Sequence, residues 1–140
     1  MTEMNLKKIE KHLELIGYTI ITPETPDNFR LATHNEKGSF FFTFYQAHAK
    51  FFVFTHCKEG SMKKNWGVAL ELANILNTRT IVSSYSVIED DGFLKDCFMI
   101  QAIYLPNYTK QSFSYFLKCL EIDINEFQPQ KYPQLNKLLL

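Results

Sequence analysis

His56 and Cys57 are the one adjacent histidine–cysteine pair in the sequence, the residue types that a thiol nucleophile and its general base require. Both lie in the run KFFVFTHC, which alternates as a strand does, and neighbours on a strand point to opposite faces. The expectation is a packed Cys57 and a surface His56 that do not meet. His12, His34 and His48 stand at no metal-ligand spacing, since neither HxH nor HxxxH occurs. Glu89, Asp90 and Asp91 run into Gly92 without the twelve-residue loop of a helix–loop–helix calcium site, so they read as a solvated turn. The five glycines build no GxxxxGK[ST], GxGxxG or GxSxG, the loops that cradle phosphates or expose a serine. The residues point to a non-catalytic protein with no cofactor and no metal.

Charge is more suggestive. Residues 50–64 carry Lys50, Lys58, Lys63 and Lys64 against Glu59, and residues 86–96 carry Glu89, Asp90, Asp91 and Asp96 against Lys95. Two patches of opposite sign can pair across a symmetric dimer, or lie on solvated loop ends. Lysines interleaved with Phe51, Phe52 and Phe54 raise single-stranded nucleic-acid binding, where bases stack on exposed rings. Fifteen basic and fifteen acidic residues leave a net charge of zero, which removes the field such binding needs.

The elements that must position these residues follow from periodicity. Leu6, Ile9, Leu13 and Ile16 recur at helical spacing over residues 2–16, with Thr2 as cap and Gly17 at the left-handed end. Lys7, Lys8, Lys11 and Glu14 occupy the opposite, surface side. A short β-branched run at Tyr18–Thr22 precedes the proline-broken PETPDN, and Phe29–His34 resumes as a strand before the turn Asn35–Gly38. Gly38–Gln46 and Lys50–Cys57 are apolar on both alternating faces, as central strands are, and the short link QAHA permits antiparallel pairing.

Ser61 is placed to cap a second helix to about Asn77, with a stripe of Trp66, Ala69, Leu70, Ala73 and Leu76 flanked by Val68, Leu72 and Ile75. So wide an apolar surface is either buried between layers or covered in part by a second subunit. Thr80–Val87 and Phe93–Leu105 read as partner strands around the turn Glu89–Gly92. A third helix from Thr109 keeps Phe113, Phe116, Leu117, Leu120, Ile124 and Phe127 in register. The predicted fold is α+β, an antiparallel sheet with helices mainly on one face in the order α-βββ-α-ββ-α. Residues 1–127 form one domain, and 128–140 are a tail whose LNKLLL ending docks either on its own chain or on another.

Residues 70–94, LELANILNTRTIVSSYSVIEDDGFL, resemble the YbjN-like family and the type III secretion chaperone-like fold. The likeness rests on the Asn74-x-x-Asn77 pair ending the helix, the strand after it and the acidic-Gly turn, with the Phe116/Leu117/Leu120 helix closing the pattern. It implies a small, cytoplasmic, often dimeric protein; the secretion chaperones hold an unfolded segment of a client, and the YbjN-like branch is regulatory. Dedicated export chaperones are acidic, whereas this chain is neutral, so the resemblance implies a relative sharing their fold. The two asparagines also have a plain physical role, satisfying loose carbonyls at a helix end.

Forty-six per cent hydrophobic and twenty-one per cent charged residues suit a folded core. The N-terminal segment is charged throughout, no window reaches the length of a membrane span, and three widely spaced cysteines suit a reducing compartment. Thirteen Phe and seven Tyr in one domain suggest an apolar surplus left for a groove or interface, or else a Phe-rich core. The expected function is therefore a cytoplasmic, homodimeric protein-binding module of chaperone or regulatory type, with a protein client or regulatory partner and neither nucleic acid nor membrane. Trp66, Leu70 and Ala73 are candidates for self-association; Phe40, Phe42, Phe52 and Phe54 are candidates for core or client groove. The rival expectation is a small-molecule-binding or enzymatic domain with an aromatic pocket.

Overall fold

Leu6, Ile9 and Leu13 are buried along α1 (Glu3–Leu15), on the stripe their spacing predicts, whereas Ile16, the fourth residue of that stripe, lies past the helix end and is exposed. The computed structural model describes residues 3–22, 29–34, 36, 41–45, 50–90 and 95–139. Gly17 ends the helix at φ 107°, a conformation L side chains rarely adopt, and a β-carbon there would sit 3.1 Å from the His34 ring.

The chain divides into two compact units, Met1–Val53 with Ala102–Lys118, and Phe54–Gln101 with Cys119–Leu140. The first begins with α1 and the antiparallel neighbours β1 (Tyr18–Ile21), β2 (Phe29–His34) and β3 (Phe41–Tyr45). Ala32 stands opposite Ile20 and Phe42, and the register continues into β4 (Lys50–His56) with Phe44 opposite Phe51 and Thr43 opposite Phe52. Tyr18, Ala32 and Phe51 are buried on one side of these strands, while Thr19 and Ile21 are exposed at the alternate positions. Phe51 packs its ring 6.0 Å from Phe113 and 5.2 Å from Phe116, both from the start of α4 (Lys110–Glu126).

The second unit holds α2 (Ser61–Lys64), α3 (Trp66–Asn77), β5 (Ser83–Asp90), most of β6 (Lys95–Ile103) and the end of α4. Phe127 meets the rings of Tyr85 and Phe98 at 5.7 and 5.2 Å. The strand order is β1-β2-β3-β4-β6-β5, so β3 and β4 are interior, as their two apolar faces require. The α+β class and the helix–strand order thus match the sequence reading, with Tyr18–Ile21 as the extra short strand.

Four local features differ from expectation, each for an identifiable reason. The second helix is broken at Asn65, whose side-chain amide and backbone N–H both donate to the Ser61 carbonyl, at 3.1 and 2.8 Å. Gly60, left-handed at φ 74°, takes the N-cap position of α2 in place of Ser61, whose hydroxyl donates to the Leu138 carbonyl at 3.1 Å. Strand β5 starts at Ser83 instead of Thr80, because the N–H groups of Ile81, Val82 and Ser83 turn to the Asp123 carboxylate. On β6 the left-handed Asp96 (φ 46°) precedes two successive buried residues, Cys97 and Phe98, which interrupts the alternation.

The C-terminal segment packs on its own unit. After a 3-10 turn (Pro133–Lys137), Leu135 and Leu138 are fully buried, the Lys58 N–H donates to the Leu138 carbonyl at 2.6 Å, and Leu139 bridges to Cys57. No helix among the described residues is long and apolar enough to cross a membrane. The expected Thr2 cap, the proline segment 23–28, the link 46–49 and the glycine of the turn at 92 lie outside the described residues, as does most of the turn at 35–38.

Candidate functional site

Helix α3 divides its apolar residues between two arcs. Ala69, Leu72, Ala73 and Leu76 are buried, whereas Trp66 and Leu70, one turn apart, are 36% and 40% exposed. Of the three candidates for self-association, Ala73 therefore faces the core, and Trp66 and Leu70 face outward. Leu70 lines a shallow groove of about 570 Å³ with Gly67, Glu71, Asn74, Ile75 and Arg79. Gly67 adds no side chain here, and no atom lies within 4 Å of where its β-carbon would be. Glu71 and Arg79 give the groove one charge of each sign.

The end of α3 is fixed by polar contacts that differ from those expected of its asparagines. Thr78 and Thr80 hydroxyls donate to the carbonyls of Ile75 and Asn77 at 2.7 and 3.3 Å. Asn77 instead reaches β5, donating to the Tyr85 carbonyl at 3.0 Å and accepting the Tyr85 N–H at 2.6 Å. Asn74 stays exposed in the groove. The pair thus has one structural member and one surface member.

The sheet candidates do not form one set. Phe40 lies outside the described residues, and of Phe42 the register gives its backbone pairing with Ala32 of β2. Phe52 and Phe54 are half-buried, while their neighbours Phe51 and Val53 are buried. His56 is exposed and Cys57 is buried, which keeps imidazole and thiol apart as the strand alternation predicts. Burial, with the neighbouring Cys97 and Asp96, pushes the Cys57 thiol up to about 11, so it is protonated at neutral pH. Among the described residues no three His, Cys, Asp or Glu side chains are grouped to hold a metal ion.

Two polar centres were not singled out by the sequence. Asp123, almost fully buried, accepts three successive backbone N–H bonds through its carboxylate, and its carbonyl accepts the Tyr85 hydroxyl at 2.6 Å. Its desolvation is met by these donors, which tie α4 to the α3–β5 connection. In the first unit, the buried His12 ring holds the Tyr108 hydroxyl at 2.7 Å through Nδ1 and Ser114 Oγ at 3.4 Å through Nε2. Its edge-on neighbour Phe113 lies 5.1 Å away. Burial, then the Lys110 cation, lowers the His12 pKa, so the ring is neutral at pH 7.

Comparison of the chain with protein-family models, with curated proteins and with solved structures finds no match in any of the three.

Proposed function

We propose that this chain is a protein-binding module of chaperone or regulatory type that self-associates through the outer arc of α3. The supporting observation is the exposure of Trp66 and Leu70 beside the Gly67–Arg79 groove. Large apolar side chains clustered on a helix face lose unfavourable hydration when a second surface covers them, by about 25 cal/mol per Å². The groove is self-complementary in charge. On a two-fold axis running between antiparallel copies of α3, Glu71 of each copy approaches Arg79 of the other, the arrangement an isologous interface requires.

The fold order and the resemblance to YbjN-like proteins support extending this reading to a protein client or regulatory partner held by the dimer. The three cysteines, all buried and none of them in a disulfide, favour the cytoplasm as the compartment. Trp66 is the only tryptophan and reports on its own face. On serial dilution its emission should move to longer wavelength as the dimer dissociates and water reaches the ring. An emission maximum independent of concentration, in a protein whose mass stays that of one chain, rejects self-association through this face.

A further inference from the structure

The opposite polarity of site occurs in the first unit. Lys8, Lys11, His12 and Leu15 follow one another at helical intervals of three, four and seven residues from Lys8, and so share one arc of α1. With Ile16, with Tyr108 just before α4 and with Lys110 at its start, this arc lines a cavity of about 420 Å³. That volume lies within the ~300–1,000 Å³ of small-molecule sites. The start of α4 is itself fixed: Thr109 Oγ1 accepts the Ser112 N–H at 3.1 Å and Ser112 Oγ accepts the Thr109 N–H at 3.3 Å, a reciprocal cap. His12 then pins Tyr108, so the wall is preformed.

Three features of this cavity call for the same occupant. Its described lining holds three lysines and no carboxylate, and none of the three ammonium groups forms an ion pair with another described residue. Lys8 and Lys11 are one turn apart, and Lys110 is close enough to depress the His12 imidazolium, so like charges repel around one space. Beside them, Leu15 and Ile16 are 78% and 45% exposed, aliphatic surface left in water at the cavity wall. An anionic head offsets the repulsion, and an apolar tail covers the leucine and isoleucine. A concave site of this volume suits a single molecule better than the flat surface of a bilayer.

We propose that the cavity between α1 and the start of α4 binds a small amphiphilic anion, a carboxylate head among Lys8, Lys11 and Lys110 with a short aliphatic tail against Leu15 and Ile16. This site is independent of the α3 face, and Leu70→Asp should leave it unchanged.

Sodium octanoate is the probe, followed by two-dimensional amide NMR on the full chain. Saturable shifts should concentrate at residues 8–16 and 108–110. The exposed double variant Lys11→Glu/Lys110→Glu should bind roughly tenfold more weakly while keeping the spectrum of a folded protein. Acetate, which lacks the tail, and octanol, which lacks the charge, should each bind far more weakly than octanoate. Octanol equal to octanoate, acetate equal to octanoate, or octanoate shifts lying elsewhere or absent would each overturn the assignment. Binding to phosphatidylglycerol vesicles without any response to octanoate would overturn it in favour of a membrane surface.

Discussion

The Asp123 carboxylate receives the Val82 N–H at 2.9 Å, and the N–H groups on either side of Val82 converge on the same carboxylate. One acidic side chain on α4 thereby satisfies three backbone donors that the start of β5 leaves without sheet partners. Asp123→Ala removes both acceptor oxygens, and with them all three hydrogen bonds, from a buried position and should cost about 3–5 kcal/mol of unfolding free energy. Asp123→Asn, which keeps one oxygen but turns an NH₂ toward donors, should fall between wild type and alanine. Urea denaturation measures both. A loss under ~1 kcal/mol for the alanine variant would show that water replaces the carboxylate at no great cost.

The C-terminal segment should behave as part of the second unit. Leu138 is fully buried, and its carbonyl receives the Lys58 N–H and the Ser61 hydroxyl. Leu138→Ala should lower stability by about 2–4 kcal/mol, the cost of an emptied apolar site. Equal urea midpoints for the variant and wild type would mean the segment does not dock.

All three thiols are buried, and Cys57 titrates only near about 11. At pH 7.5 a thiol reagent such as dithiobis-nitrobenzoate should react slowly with the native protein and release three equivalents on addition of denaturant. One equivalent reacting within seconds under native conditions would contradict the burial of these thiols.

Stability should fall below neutral pH because of His12. Its folded pKa is lowered from 6.5 by burial and by Lys110, so the unfolded chain takes up the proton first. The stabilisation is complete above 6.5 and is lost as the pH falls from there toward the lower folded value. Glu126, held below the ordinary carboxylate range by hydrogen bonds from Lys131 and Tyr132, adds its own dependence only in more acid solution. Between about pH 7 and 5 the urea midpoint of wild type should therefore drop more steeply than that of His12→Gln. Parallel curves would show that His12 charges as freely in the folded protein as in the unfolded chain.

Periodicity carried much of the fold. The Leu6–Ile9–Leu13 stripe names buried residues because a helix repeats its inward face at fixed intervals, whereas β4 is apolar on both alternating faces and does not say that Phe51 and Val53 turn inward ahead of Phe52 and Phe54. The same logic fails on α3, whose apolar residues cover too much of the circumference to say which arc turns inward, so Ala73 and Leu70 looked alike. Asp123 did leave a signal, since it sits three residues after Leu120 and four before Phe127, on the buried stripe of α4. A polar residue at such a position must find partners. Lys8, Lys11, His12 and Leu15 were likewise legible as one helical arc. Their convergence with Tyr108 and Lys110 was not, because nothing local encodes a contact across almost a hundred residues.

The central claim, self-association through the outer face of α3, is tested most directly by absolute mass. Light scattering during gel filtration should give wild type about twice the chain mass of 16.4 kDa. Leu70→Asp, a change at an exposed position, should keep the fold by circular dichroism and elute as a single 16.4 kDa chain. Wild type at the mass of one chain, or a folded Leu70→Asp variant that keeps the dimer mass, would contradict the account.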